Sequence, residues 1–141
     1  MTRLHPTIRT VVKERSLPHK PDRVWRALTQ SHLVAEWLMP CDLVAEVGHR
    51  FELEAPWGKV LCQVLAVEPE RLLSYSWAAQ GLESVVTWTL TETASGTDLK
   101  LEQTGFGTEQ EQAYRGATAG WTRFLGRLEA VIAELDGEAR G

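Results

Sequence analysis

The last third of the chain restricts the fold most, because its apolar residues recur every three or four positions. That spacing is typical of one long amphipathic helix, which must bury its apolar stripe against another surface. We expect the helix to cover residues 114–135 and to end at Gly137, since glycine is common directly after a helix. The stripe consists of Tyr114, Ala117, Trp121, Phe124, Leu125, Leu128, Val131, Ile132 and Leu135.

Three glycines interrupt this predicted helix. Each of Gly116, Gly120 and Gly126 weakens a helix by about 1 kcal/mol relative to alanine. We expect close packing of the helix against another surface to compensate for that loss.

The chain before the helix alternates apolar and polar residues, and a period of two predicts β-strands. The first strand, residues 7–17, places Ile8, Thr10 and Val12 on one face. Short turn-forming connections separate the later strands, so successive strands should pair as an antiparallel meander. The later strands are predicted at residues 50–55, 60–67, 72–77, 85–91 and 98–103.

Two short helices are predicted between the first and second strands. The first covers residues 21–29, because Pro21 can begin a helix where its missing N–H would have no partner anyway. The second covers residues 32–38 and must stop before Pro40, which disfavours helical geometry in the residue before it.

These two helices are expected to have different roles. Trp25 and Leu28 should lie in the core beneath the sheet. Trp37 and Leu38 precede the loop that leads to the second strand, and we expect them to form the rim of a cavity.

The elements together predict one α+β domain over residues 1–141, with a core of about residues 7–135 and a flexible tail at 136–141. An antiparallel sheet of six or seven strands twists and tends to curl. We expect the curved sheet to wrap around the long C-terminal helix, with the two short helices closing one end.

An ordered set of motifs along about residues 7–135 resembles the bacterial proteins related to the activator of the heat-shock protein 90 ATPase, in the SRPBCC or START-like superfamily. The resemblance implies the helix-grip fold, in which a curved antiparallel sheet holds a long C-terminal helix around a cavity. The motifs are VWRALT, EWLMP, VGHRFEL, VLAVEPERL, YSW, VTW, GT at 96–97, GF at 105–106 and GWTRFLGRL.

The resemblance also implies a range of functions. Members of the superfamily mostly bind hydrophobic small molecules such as lipids, sterols, polyketides and aromatic natural products, and some are cyclases, dehydratases or hydrolases. The family name suggests a stress-related role but does not itself imply chaperone binding or ATPase activity. No phosphate loop of the form G-x-x-x-x-G-K-[ST] occurs in the chain.

Composition restricts the partners and the compartment. The net charge is −4 and the basic residues form no stripe, which argues against a nucleic-acid partner. No apolar run approaches the roughly 18 residues that a membrane span requires. Because the first residues lack an apolar signal segment, we expect a cytoplasmic protein in which Cys41 and Cys62 stay reduced.

Sequence motifs for catalysis and metal binding are lacking. None of the four histidines has another histidine three or four residues away, so we expect no metal site. There is no G-x-S-x-G nucleophile motif, and we expect no cofactor and assign no catalytic residue. The carboxylates occupy mostly strand positions opposite the apolar faces, as on a solvated surface: Glu52, Glu54, Glu102 and Glu111.

A few polar groups fall on the apolar faces of their strands. Tyr75, Gln103 and the indole N–H groups of Trp77 and Trp88 need hydrogen-bond partners if they are buried. Either they bond to the protein or to a bound water, or they orient a mainly apolar ligand. Tyr75 is also a candidate general acid, although no neighbour in sequence would tune it.

Seven large aromatic residues on the inward faces present a similar choice. They can pack as a solid core, or they can line a cavity where the helix does not reach the whole curved sheet. We predict a cavity whose ligand-binding residues are Trp37, Leu38, Phe51, Leu53, Tyr75, Trp77, Trp88, Leu101, Gln103, Trp121 and Leu125.

We therefore expect binding of a hydrophobic small molecule, lipid-like or aromatic and polyketide-like. The alternatives are a cyclase- or hydrolase-type enzyme that uses the same cavity, and a chaperone-associated interaction module, a partner for which the sequence offers no support. A homodimer is compatible with all three, and the apolar residues Leu72 and Val85 on the opposite strand faces are a weak hint of it.

Overall fold

A computed structural model describes residues 9–140 of the chain. Within them, six strands pair into one antiparallel sheet and three segments are helical. The strands are β1 (Arg9–Leu17), β2 (Arg50–Ala55), β3 (Gly58–Glu68), β4 (Leu72–Ala79), β5 (Leu82–Thr93) and β6 (Gly96–Phe106). The helices are α1 (Pro21–Thr29), α2 (Ser31–Trp37) and α3 (Glu111–Arg140).

The strand order is β1-β6-β5-β4-β3-β2, and every neighbouring pair is antiparallel. The antiparallel meander predicted from the short turns, β2 to β6, is therefore correct. Strand β1 pairs with β6, the last strand, and forms one edge of the open sheet. The β4–β5 turn is tight because Gln80 and Gly81 both have positive φ, 50° and 85°, as the two central residues of a type I′ turn require. Residues 7 and 8 of the predicted first strand lie outside the described part.

One face of the sheet is buried against α3. Across three neighbouring strands, Leu73, Trp88 and Leu101 stand opposite one another in register and are each fully buried. On β1 the buried residues are Val11 and Leu17, whereas Val12 on the other face is 46% exposed. The buried side chains of α3 confirm the C-terminal part of the predicted apolar stripe. They are Trp121, Leu125, Leu128, Val131, Ile132 and Leu135. The two short helices contact α3 and close one end of the sheet.

The two tryptophans of the short helices are buried to different extents. Trp37 is only 1% exposed, and its Nε1 donates a 2.8 Å hydrogen bond to the carbonyl oxygen of Ala27. Trp25 is only partly buried. Leu38 is also buried in the core, and neither Trp37 nor Leu38 lines either of the two pockets described below. Helix α2 contacts both α1 and α3.

Helix α3 differs from expectation at its end and at its glycines. It continues through Gly137 to Arg140, so the predicted stop is wrong; the flexibility of residues 136–141 remains a prediction. A Cβ added at Gly116 or Gly126 would meet no atom within 4 Å, and one at Gly120 would meet only the Phe124 ring at 3.8 Å. The expected close packing at these glycines is therefore also wrong.

A candidate ligand pocket

A pocket of about 530 Å³ opens between the sheet and the first turns of α3. Three parts of the chain surround it: the end of β4 with the β4–β5 turn, the tip of the β2–β3 hairpin, and α3 between Gln112 and Phe124. Met39, just after α2, Gln103 on β6, and Glu109 and Gln110, just before α3, complete the lining. The pocket thus lies between the sheet and the N-terminal half of α3.

Aromatic rings form the wall of this pocket. The Trp77 and Trp121 rings are tilted against each other with centroids 5.4 Å apart, and Phe124 packs edge-on against Trp121 at 5.7 Å. Trp57 at the hairpin tip also lines the pocket, yet its side chain is 53% exposed. A deeply buried ring and an exposed ring therefore face the same space.

Small residues of α3 form another side of the pocket. Ala113, Gly116, Ala117 and Gly120 all line it, because residues three and four apart share one helix face. The missing side chains of the two glycines leave space: a Cβ at Gly116 would meet no atom within 4 Å, and one at Gly120 would meet only the Phe124 ring at 3.8 Å. This face of the helix keeps the pocket open at the cost of helix propensity.

A buried hydrogen-bond network fixes the back wall. Trp121 Nε1 donates to Gln103 Oε1 at 2.7 Å, and Gln103 Nε2 donates to Ser84 Oγ at 3.0 Å. Ser84 Oγ in turn donates to the carbonyl oxygen of Trp77 at 2.9 Å. Gln103 is 1% exposed, and the protein uses both ends of its amide. Its polar atoms hold Trp121 and Trp77 in place.

Packed aromatic side chains fill the space behind the pocket, between the sheet and helices α2 and α3. Trp88 contacts both Trp37 and Trp121 edge-on, each at 5.6 Å between ring centroids. Its Nε1 donates to the hydroxyl of Tyr75 at 3.0 Å. Of the two arrangements that the sequence left open, packed core and cavity, the region around Trp88 is therefore packed core. The pocket lies next to this core, beside Trp77 and Trp121.

Tyr75 is a neutral structural residue in this arrangement. Desolvation by burial raises its pKa far above the usual value, and the hydrogen bond from Trp88 opposes that shift only in part. A phenol that stays protonated can donate a hydrogen bond, but it is a poor general acid near neutral pH.

The eleven predicted ligand-binding residues are divided among three places. Three of them, Trp77, Gln103 and Trp121, line the pocket. Phe51 lines a different pocket, on the edge of the sheet. The others lie in the packed core and outside the lining of both pockets: Trp37, Leu38, Leu53, Tyr75, Trp88, Leu101 and Leu125.

Other lining residues were missed by the sequence reasoning. Trp57 carried a signal, since a tryptophan in a turn between proline and glycine has little reason to be there for packing. Gly116 and Gly120 carried another, since glycines four apart share one helix face. Met39 and Arg123 had no recognisable signal, because only the folded chain brings them to the pocket.

The other pocket, about 780 Å³, lies beside residues 40–42 and strands β2, β3 and β4, toward the β2 edge of the sheet. Carboxylates and other polar groups of the outer sheet face line much of it, including Glu52 and Glu54. It also contains Cys41 and Cys62, which are both free thiols. Burial raises the pKa of Cys62 to about 12 and also raises that of Cys41. Thiols that remain protonated are weak nucleophiles, so the smaller, aromatic pocket is the better candidate site.

Among the side chains that the structure describes, those of residues 9–135 and 137, no three of His, Cys, Asp or Glu are grouped to hold a metal ion. None of the helices in that part of the chain is long and apolar enough to cross a membrane.

Comparison with known proteins identifies relatives over nearly the whole chain. The sequence pattern of the family described as "Activator of Hsp90 ATPase homolog 1-like protein" matches residues 18–133. A search of curated proteins gives no significant match.

Solved structures show the same fold. Protein MLL2253 from Mesorhizobium loti is 51% identical, with a TM-score of 0.86, and the alignment covers 89% of this chain and 98% of that one. Protein BH1534 from Bacillus halodurans is 31% identical, with a TM-score of 0.78 and coverage of 94% and 99%. DynU16, described as a putative protein in the dynemicin biosynthetic locus, is 29% identical with a TM-score of 0.79; the alignment covers 88% of this chain but 47% of DynU16.

Proposed function

The chain belongs to the family of activator of Hsp90 ATPase homolog 1-like proteins, of the SRPBCC type, and on that premise we propose that it binds a hydrophobic small molecule between the sheet and α3. The observation that carries the proposal is the pocket of about 530 Å³ with aromatic walls and a glycine-lined helix face. Ligand pockets are usually of roughly 300–1,000 Å³ and mostly apolar, with few polar groups.

Gly116, which lines the pocket, supports a ligand more than a structural role. It costs the helix about 1 kcal/mol relative to alanine, although a Cβ there would meet nothing within 4 Å. Packing within the protein therefore gives no reason to retain glycine there. A bound molecule that occupies this space would provide one.

The tryptophans favour a flat aromatic or polyketide-like molecule. Trp57 exposes 53% of its surface at the mouth, and covering such a ring with an apolar ligand is favourable at about 25 cal/mol per Å². The rings of Trp77 and Phe124 offer further stacking surfaces. The similarity to DynU16, from a natural-product locus, supports the same class of ligand.

The enzyme alternative receives less support. A cyclase or hydrolase needs an acid or base that faces the substrate. The buried groups whose pKa values are raised, Tyr75 and Cys62, lie outside the lining of this pocket. The described lining offers one carboxylate, Glu109, and no histidine, cysteine or tyrosine that could act with it. A chaperone-associated role and a stress-related role rest on the family name alone.

The test is a thermal-shift screen of flat aromatic and polyketide-like compounds with three proteins: the wild type, Gly116→Leu and Gly126→Leu. Leucine at position 116 fills the pocket without a backbone clash. Leucine at position 126 makes a matched change on an open part of α3 outside the lining. We expect compounds that raise the melting temperature of the wild type and of Gly126→Leu but not that of Gly116→Leu. Equal shifts in all three proteins, or no compound that stabilises the wild type, would contradict the proposal.

A further inference from the structure

The described pocket lining contains two charged residues, and they lie at opposite ends. Glu109 precedes the start of α3, whereas Arg123 follows that start by more than three turns. A helix rises 1.5 Å per residue, so Arg123 lies about 18 Å along the axis from the start of α3, which Glu109 precedes. No ion pair joins these two described residues, and Arg123 is the cation of the described lining.

Arg123 is positioned against the aromatic wall. Its guanidinium carbon lies 6.0 Å from the centroid of the Phe124 ring, and that ring packs on Trp121. No carboxylate of the described residues forms an ion pair with Arg123, whereas Arg115 on the same helix is paired with Glu111 at 2.8 Å. The cation at the pocket's end is free to bind a ligand.

We infer, resting on the proposed function, that the ligand carries an anionic group such as a carboxylate beside its apolar body, and that Arg123 binds this group. The planar guanidinium can donate two parallel hydrogen bonds to a carboxylate, which fixes orientation as well as charge. The apolar body would then lie along the glycine-lined face of α3, toward Trp77.

The net charge of the protein does not by itself explain a preference for an anionic ligand. At −4, the chain as a whole repels anions, since the summed charge distribution acts on any charged ligand that approaches. A preference for an acidic ligand over its neutral form therefore requires a local cation, and Arg123 is the one in the described lining.

The experiment compares 1-pyrenebutyrate with its uncharged methyl ester by isothermal titration on the full chain. The variants are Arg123→Gln and, as a matched control, Arg127→Gln, which removes an exposed arginine one turn further on, outside the pocket lining. We expect the wild type and Arg127→Gln to prefer the acid by about fivefold, the range of a partly exposed ion pair. Arg123→Gln should lose this preference with unchanged affinity for the ester, and Arg123→Lys should recover part of it.

Other outcomes separate this inference from the proposed function. If acid and ester bind the wild type equally, or if Arg123→Gln weakens both probes alike, the inference is overturned and the ligand pocket stands. If Arg127→Gln abolishes the preference, another cation is responsible and the inference is again overturned. If neither probe binds the wild type and the compound screen is also negative, the proposed function fails and the inference with it.

Discussion

The indole Nε1 of Trp121 on α3 donates a hydrogen bond of 2.7 Å to Oε1 of Gln103 on β6. This bond joins the long helix to the buried face of the sheet at the back of the pocket. Both residues are almost fully buried, so neither partner can exchange the bond for one to water. The wall of the proposed site is therefore held by the same contact that fastens the helix.

Gln103→Leu tests this relationship. The substitution leaves the Trp121 N–H buried without a partner and removes the bond to Ser84, and leaving a buried donor unsatisfied costs about 1–3 kcal/mol. We expect a loss of that size in the free energy of unfolding, measured by urea denaturation. In the double variant Gln103→Leu with Trp121→Phe, the loss should be smaller than the sum of the two single losses, because no donor remains unpaired. Strictly additive losses would show that the two side chains are not coupled.

The tryptophans of the short helices provide a second prediction. Trp37→Ala should lower the free energy of unfolding by about 3–5 kcal/mol, as removal of a large core ring does. Trp25→Ala should cost clearly less, since Trp25 is only partly buried and merely packs against the core. The comparison is made by urea denaturation monitored by circular dichroism. Equal losses would contradict the assignment of Trp37, rather than Trp25, to the core.

Two glycines should respond to alanine with opposite signs. At Gly126 nothing lies within 4 Å of an added Cβ, so Gly126→Ala should stabilise α3 by about 1 kcal/mol. At Gly96 the backbone has φ of +153°, and an added Cβ would lie 2.0 Å from the carbonyl oxygen of Leu17. Gly96→Ala must displace β1 or the β5–β6 turn and should lower the melting temperature. An increase in melting temperature for both variants would contradict this description of the turn.

The ion pairs of Glu111 predict an acid-dependent loss of stability. Hydrogen bonds from Arg9 and Arg115 lower the pKa of Glu111 from its ordinary value of 4.5. A carboxylate with a lowered folded-state pKa stabilises the fold above the unfolded-state value, and this contribution is lost as the pH falls through the folded-state value. Glu111→Gln should therefore be less stable than the wild type at pH 7, and the difference should shrink below pH 4.5.

The control for that pH dependence is Glu36→Gln, which changes an exposed carboxylate on α2. Its difference from the wild type should stay small over the same range, because no described ion pair is lost. Thermal unfolding at several pH values measures both differences. A Glu111→Gln difference that stays constant between pH 7 and pH 3 would exclude the proposed linkage.

The local patterns of the sequence were sufficient for the fold. The alternation in β2 predicted the bounds Arg50–Ala55 because each residue there meets either core or solvent. The sequence also predicted correctly that the side chains of Trp88 and Leu101 lie on the buried face of the sheet. These features depend on the period of each element and on short turns, which neighbouring residues determine.

The candidate site depended on contacts that no local pattern contains. Trp88 was predicted to line a cavity, but Trp37 and Trp121 close around it from two different helices. The alternation of residues along a strand shows which face of the sheet a side chain occupies. It does not distinguish packed core from open pocket, since both lie on the same face. The packing of Trp88 against α2 and α3 decides between them.

Ligand occupancy of the pocket can be observed directly through the six tryptophan indoles, each of which gives one N–H signal in a nitrogen-15 correlation spectrum. Titration with a stabilising compound from the screen should shift the signals of Trp57, Trp77 and Trp121, whose rings line the pocket, and leave those of Trp25 and Trp37 in place. Shifts confined to Trp25 and Trp37, or saturable binding that moves none of the three pocket indoles, would contradict a ligand site between the sheet and α3.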